Sequence, residues 1–401
     1  NWGTLTIESG TYTGGLDVVK SEEGSTLNIH GGKFTLNYST DGYTGVILNY
    51  GTATITDGEF IQNATSGGRW DHPQVVATGV VEDYPAITKI TGGTFTNNMS
   101  GEGIFRGIGK GTSDNFEVSG GTFNKSISEG YCADGFIPTK NADGTYGVKE
   151  GKYVAQIGSK KYETLADAIS LAAKGKTVTL LADVTENVII AENKNMILDL
   201  NGHTLSGGTT AGKAALTNYG KLTINDSSEA QTGTIKREDE NTGGYYVIDN
   251  KGTMTINGGN VINNSSRKGS SLIRNGGAED DNAYPTLNIT GGTFTQLNFI
   301  AIKNDALSRL NVSGGKITSN ASAIQNWYEA TIAGGEINGQ LWTDAFAWDG
   351  GESTGNTTIS DNAKFNGEIV MDITGKNVVP KLNISGGDLN ITNWRITPAA
   401  S

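Results

Sequence analysis

The motif Leu-x-Ile-x-Gly-Gly-x-Phe recurs along nearly the whole chain. It stands at Leu27–Phe34, Phe116–Phe123, Met254–Val261, Leu287–Phe294, Leu310–Ile317 and Leu382–Leu389. Looser copies lie at Leu5–Tyr12, Ala53–Phe60, Thr88–Phe95, Ala330–Ile337 and Thr358–Phe365. A short alternating strand returning every ~20–35 residues marks a repeat architecture rather than one compact core. Within a copy, Leu27 and Ile29 face one way while Asn28 and His30 face the other, because strand side chains alternate. Gly31-Gly32 permits a sharp bend, and Phe34 opens the next inward stretch. One repeat cannot bury its apolar row alone; stacked repeats bury a continuous one.

A second signal precedes several copies. Ile47-Leu48-Asn49, Leu216-Thr217-Asn218, Ile248-Asp249-Asn250, Ile273-Arg274-Asn275, Ile302-Lys303-Asn304 and Ile324-Gln325-Asn326 each put an Asn at the same place. Asn tolerates the left-handed backbone of a tight corner. Stacked amides also hydrogen-bond along the stacking axis. We read Asn49, Asn218, Asn250, Asn275, Asn304 and Asn326 as a structural corner ladder rather than a ligand-binding row.

Glycine makes up 58 of the 401 residues and proline 6, with 18% charged residues. That suits a solenoid with many Gly corners and excludes collagen. A net charge of −12 argues against nucleic acid or anionic membranes as partners. No apolar run approaches ~18 residues, so no membrane insertion is expected within this stretch. Asn1-Trp2-Gly3 already lies inside a repeat, so the chain reads as a fragment with its targeting signals elsewhere. Cys132 is alone and forms no intrachain disulfide. Sequons such as Asn288-Ile289-Thr290 and Asn311-Val312-Ser313 fall inside strands and imply no glycan.

The repeat pauses between Gly130 and Thr185. Residues 131–152 read as a terminating hairpin and linker, with Asn141–Gly144 as the turn. A helix is expected at about 164–174, capped by Thr164, with Leu165, Ile169 and Ala172 on one face and Lys174-Gly175 closing it. After it come Val188-Ile189-Ile190 and Met196-Ile197-Leu198-Asp199-Leu200-Asn201-Gly202-His203-Thr204-Leu205. The helix Thr164–Gly175 and this strand segment resemble the opening of right-handed parallel β-helices of the pectin-lyase-like superfamily. The Gly-Gly-x-Phe turns resemble repetitive surface proteins of Gram-positive, often gut-dwelling, bacteria. The resemblance implies an all-β chain of two tandem right-handed parallel β-helix segments with one short capping helix. Residues 1–130 would be later coils of a first β-helix and 153–401 a second with its own cap. Both halves carry a Tyr-Pro pair, at Tyr84-Pro85 and Tyr284-Pro285, entering a Gly-Gly-Thr-Phe turn.

Enzymes of that superfamily carry carboxylates on one outward face. Here the outward positions are Thr6 and Glu8, Asn28 and His30, Thr54 and Thr56, Lys89 and Thr91, Glu117 and Ser119, then Thr223 and Asn225, Thr255 and Asn257, Asn288 and Thr290, Asn311 and Ser313, Thr358 and Ser360, and Asn383 and Ser385. They supply no carboxylate pair for glycoside hydrolysis. His30, His72 and His203 lack metal spacing, so neither a metal nor a cofactor is expected. Glu238-Asp239-Glu240 and Glu279-Asp280-Asp281 lack the alternation of a calcium loop and read as solvated charge. Function on repeat proteins sits on loops. The longest offers Arg69, Trp70, Asp71 and His72, continuing to Asp83 and Tyr84, as either a ligand contact or a loop anchored by Trp70. A second aromatic region holds Trp327, Tyr328, Trp342, Phe346 and Trp348. The reading is a secreted or cell-surface, adhesin-like stalk without catalysis, binding a carbohydrate or host protein through these aromatics. The alternatives are a polysaccharide lyase or glycoside hydrolase, and a phage tail-spike-like receptor binder, which would require a trimer.

Overall fold

A computed structural model describes all residues except 38–44, 65–73, 82–83, 209, 211, 238–244, 264–270, 278–283, 349–350, 373–378 and 398–401. Side chains at 346–348, 351–352, 372 and 397 are likewise not described. The chain forms two compact units, Asn1–Lys152 and Tyr153–Ser401. Both are all-β with mostly parallel pairing, and Leu165–Leu171 is the one α-helix among the described residues.

In the first unit the strands recur in threes, and most pair with the strand three further along. Leu-x-Ile strands form one parallel sheet: Thr4–Ile7, Thr26–Ile29, Thr52–Ile55, Ile87–Ile90 and Phe116–Val118. Strands after the glycines form a second: Thr11–Gly14, Lys33–Leu36, Glu59–Gln62, Thr94–Asn97 and Thr122–Phe123. The remaining strands, Val19–Ser21, Gly45–Asn49, Gln74–Val80 and Phe105–Gly109, form a third. Register is motif on motif: Leu5 pairs with Leu27, Ile7 with Ile29 and Phe34 with Phe60.

The motif explains that register. Its inward Phe residues stack at 4.9 Å from Phe34 to Phe60 and 4.8 Å from Phe60 to Phe95, all three fully buried. Parallel offset rings at this spacing add to ordinary apolar burial. The two glycines serve different ends. Gly121 has φ +102, a conformation that favours glycine. Gly120 has ordinary φ, but a Cβ there would lie 2.0 Å from the Thr91 carbonyl of the preceding repeat. One glycine turns the chain; the other lets successive corners touch.

An antiparallel hairpin follows the last parallel strands of this unit. Phe136–Lys140 pairs antiparallel with Tyr146–Glu150, and Tyr146 pairs antiparallel with Phe123. A reversed strand at the sheet edge breaks the parallel repeat, as terminators of edge pairing do.

In the second unit the parallel stack begins earlier than the motif suggests. Thr177–Leu180 already pairs with Asn195–Asp199, so the pause does not last to Thr185. Its Thr-Val-Thr-Leu has the inward pair Val178 and Leu180 without the glycines that flag later copies. Registered strands continue through Lys381–Ile384. Towards that end single strands span several positions: Arg309–Asn326, Glu329–Trp348, Lys364–Asp372 and Asp388–Thr397.

The helix is shorter than expected, ending at Leu171 rather than 174. Ala172 has ψ 121 and closes the last turn by a bond to the Ile169 carbonyl, so Lys174-Gly175 belong to the following turn. Thr164 Oγ1 accepts from the Asp167 amide at 3.1 Å, as an N-cap should. Two further amides are met from outside. Glu186 accepts from Leu165 N and Ala166 N, both at 2.9 Å. A carboxylate also suits the positive end of the helix dipole. Leu165, Ala168 and Ile169 are buried in the second unit's core.

Candidate functional site

Arg69, Trp70, Asp71, His72 and Asp83 lie outside the described residues, as do Glu238-Asp239-Glu240 and Glu279-Asp280-Asp281. Tyr84 is 52% exposed. Trp348 ends its strand, but its side chain is not described. Trp327, Tyr328 and Trp342 are half-buried; the first two form the bend between strands Arg309–Asn326 and Glu329–Trp348, and Trp342 lies in the second of these.

The face that carries them is built by the Ile-x-Asn triplets. In each, the flanking apolar residue and Asn point inward and are buried, as with Ile248 and Asn250. The middle residue therefore points out. Register aligns these middle residues as Thr217, Asp249, Arg274, Lys303, Gln325, Trp342, Val370 and Arg395. Residues just past the Asn add Asp305, Trp327 and, past Thr343, Asp344.

Behind this face runs the amide ladder. Each Asn Nδ2 donates to the next Oδ1: Asn218 to Asn250 at 2.8 Å, Asn250 to Asn275 at 2.7 Å, Asn275 to Asn304 at 2.7 Å and Asn304 to Asn326 at 2.8 Å. Asn326 ends it on Thr357 Oγ1. These Asn residues are not among the positive-φ positions, so the left-handed backbone expected of them is absent. They hold the corner instead by side-chain bonds, as where Asn218 Oδ1 accepts from Gly220 N at 3.2 Å. Asn49 stands apart. Its strand neighbours are Ser21 and Thr78, and its Nδ2 reaches Thr88 Oγ1 at 3.0 Å.

Charges on the face are neutralised locally. Arg274 Nε lies 3.0 Å from Asp249 Oδ1 and 3.7 Å from Asp305 Oδ2, and Lys303 Nζ lies 3.0 Å from Asp305 Oδ1. The Arg274–Asp249 contact is a charge pair without hydrogen-bond alignment. Asp249 is only 2% exposed. Burial pushes its carboxyl above the usual range, against the pull of Arg274 and Lys251.

Both tryptophans are fixed at their edges. Trp327 Nε1 donates to Asp344 Oδ2 at 3.1 Å, and the Lys303 ammonium sits 4.7 Å from the ring centroid. Trp342 Nε1 donates to Gln340 Oε1 at 3.0 Å, and Arg395 lies 5.6 Å from its ring. Gln340 Nε2 in turn donates to Glu368 at 2.6 Å, and Glu368 also takes Asn393 Nδ2 at 2.9 Å and Arg395 Nε at 3.4 Å. Tyr328 stacks on Tyr284 at 6.0 Å, with Arg309 4.7 Å from the Tyr284 ring. Fixed rings and planar polar groups of this kind orient a ligand at little entropic cost.

The outward Leu-x-Ile row is polar and cross-bonded, as from Asn311 Nδ2 to Asn288 Oδ1 at 2.9 Å and from Asn257 Nδ2 to Asn225 Oδ1 at 2.8 Å. His30 pairs with Glu8 at 3.0 Å and His203 with Asp183 at 3.6 Å. Among the described residues no three His, Cys, Asp or Glu are grouped to hold a metal.

Sequence reasoning missed Asp249, Arg274, Lys303, Asp305, Asp344, Gln340, Glu368 and Arg395. The signal was in the triplets, where only the Asn had been read. Aligning the middle residues as one column would have shown the row. No protein family, curated protein or solved structure matches the chain. No helix among the described residues is long and apolar enough to cross a membrane.

In the first unit, burial pushes the Asp17 carboxyl up to about 6, against Gly45 N–H and Lys20. Folding thus favours its protonated form. That contribution is full below about pH 4 and lost as pH rises through 6. Asp17→Asn is expected to raise the melting temperature of the first unit at pH 7 and leave it unchanged at pH 4. A rise at both, or at neither, would contradict the burial argument.

Proposed function

We propose that the chain is a right-handed parallel β-helix protein of the bacterial surface or exterior, acting as a stalk and a non-catalytic binding surface for carbohydrate or host protein. One observation supports the fold, the in-register parallel stacking of successive repeats, and a general rule supplies its hand, since nearly all parallel crossovers are right-handed. The single observation that carries the function is the face around Trp327 and Trp342. Its aromatic rings are half-exposed, tied at their N–H groups and flanked by planar polar side chains. Its carboxylates Asp344 and Glu368 are held as acceptors by Trp327, Ala345, Gln340 and Asn393. Localisation and partner follow from the resemblance of the Gly-Gly-x-Phe turns to surface proteins.

The rival is a polysaccharide lyase or glycoside hydrolase. One observation favours it: Asp249 and Asp305 share Arg274, so two carboxylates do stand close on one face. The burial of Asp249 weighs against it. The test is a glycan and host-protein array run beside an assay for new reducing ends. Binding without product is expected. Trp327→Ala and Trp342→Ala should each weaken binding by about 1–3 kcal/mol with the fold retained. Turnover that disappears in Asp305→Asn would establish the enzyme instead.

A further inference from the structure

We infer that the ligand of the Trp327–Trp342 face is a neutral, hydroxyl-rich polysaccharide and not an acidic one. The inference rests on the carbohydrate-binding reading above and adds the charge class of the sugar.

Charge decides it. A uronate, sulfate or sialic acid needs a cation free to receive it, preferably the bidentate fork of an Arg. Arg274 is already held between Asp249 and Asp305, Lys303 by Asp305, and Arg395 by Glu368. The side chains of Arg274 and Lys303 are only 19% and 21% exposed. Releasing either to an anion would strand a carboxylate on a crowded face. Asp344 adds a further negative group beside Trp327, and the chain carries −12 overall. An acidic polymer meets repulsion at long range, and the described cations beside the two tryptophans, Lys303 and Arg395, already hold carboxylates.

A neutral sugar meets the opposite situation. Its hydroxyls donate to carboxylate and amide oxygens of the half-buried Asp344, Glu368 and Gln340, and hydrogen bonds to ionised acceptors are the stronger kind. Glu368 and Gln340 are held in place by Asn393 and Trp342, so their lone pairs are already directed. The C–H face of a pyranose is apolar and suits a half-exposed indole.

The experiment is titration calorimetry of the whole chain with galactomannan and xyloglucan as neutral probes, and polygalacturonate, hyaluronate and dextran sulfate as acidic ones. Binding to a neutral probe is expected, with Kd changing less than about twofold between roughly 50 and 500 mM salt, since no charge pair forms. Trp342→Ala should weaken it at least ~10-fold, and Trp342→Phe should keep most of it because the ring persists. Circular dichroism of each variant guards against unfolding. Preference for an acidic probe, lost in Trp342→Ala and falling with salt, would overturn the inference and leave carbohydrate binding standing. Binding to no glycan, or binding untouched in the Trp327→Ala, Trp342→Ala double variant, would overturn both.

Discussion

Replacing Leu165 and Ile169 together with Asp is expected to abolish the folded state of the second unit. Leu165 is fully buried and Ile169 only 3% exposed, and both pack in one core with Val178, Leu180, Val188 and Ile190. Two uncompensated buried carboxylates there cost on the order of 4 kcal/mol each or more, a large part of any domain's stability. The edge of Thr177–Leu180 is paired antiparallel with Ala155–Ile157, and the helix packs beside Val188–Ile190, whose free edge would otherwise template aggregation. Tryptophan fluorescence reports mainly on this unit, which holds Trp327, Trp342, Trp348 and Trp394. Loss of its unfolding transition, with aggregates on gel filtration, is the expected result. An unchanged melting curve with monodisperse elution would show that the helix is no cap.

The amide ladder gives the second large effect. Asn275→Ala removes an acceptor for Asn250 Nδ2, a donor to Asn304 Oδ1 and a donor to the Arg309 carbonyl. All three amides are fully buried. Each group left unsatisfied costs about 1–3 kcal/mol, so a loss of roughly 3–5 kcal/mol is expected. In a unit this large that lowers the melting temperature by about 10 °C. A drop below ~2 °C would mean that the ladder is incidental to stability. Asn49→Ala should cost less, since Asn49 hands on to Thr88 rather than to another amide.

The parallel pairing was legible because it depends on a local rule repeated many times. Leu27, Ile29 and Phe34 alternate inward, and each copy needs the next to cover it. The Asn ladder was legible from position, though for a partly wrong reason, since its amides rather than its backbone hold the corner. The helix end was misjudged because Lys174-Gly175 is a stop signal that the next turn also uses. Glu186 could not be foreseen as a cap: it acts across 21 residues, and nothing in its local sequence points to Leu165. The charged face was harder still. Asp249, Arg274 and Lys303 are 25 and 29 residues apart, and they become neighbours only once the unequal loops between them are set aside by the register. Trp70 had the clearest sequence signal of any loop residue but lies outside the described residues.

The most direct measurement concerns the stacking on which both units depend. Thr255 and Asn288 are register partners on the outward Leu-x-Ile row. Neighbouring strands lie about 4.8 Å apart, while a one-residue slip would turn one side chain to the opposite face. Thr255→Cys with Asn288→Cys should therefore react rapidly with a short bis-methanethiosulfonate cross-linker, losing two methanesulfinates, to give one intramolecular link identified by peptide mass mapping. Thr255→Cys with Ile289→Cys, whose second position points into the core, should not. Cys132 is a slow background thiol, because burial pushes it up to about 11. Linkage of the first pair alone is the predicted result. Linkage of the second pair, or of neither in folded protein, would contradict parallel in-register stacking of the repeats.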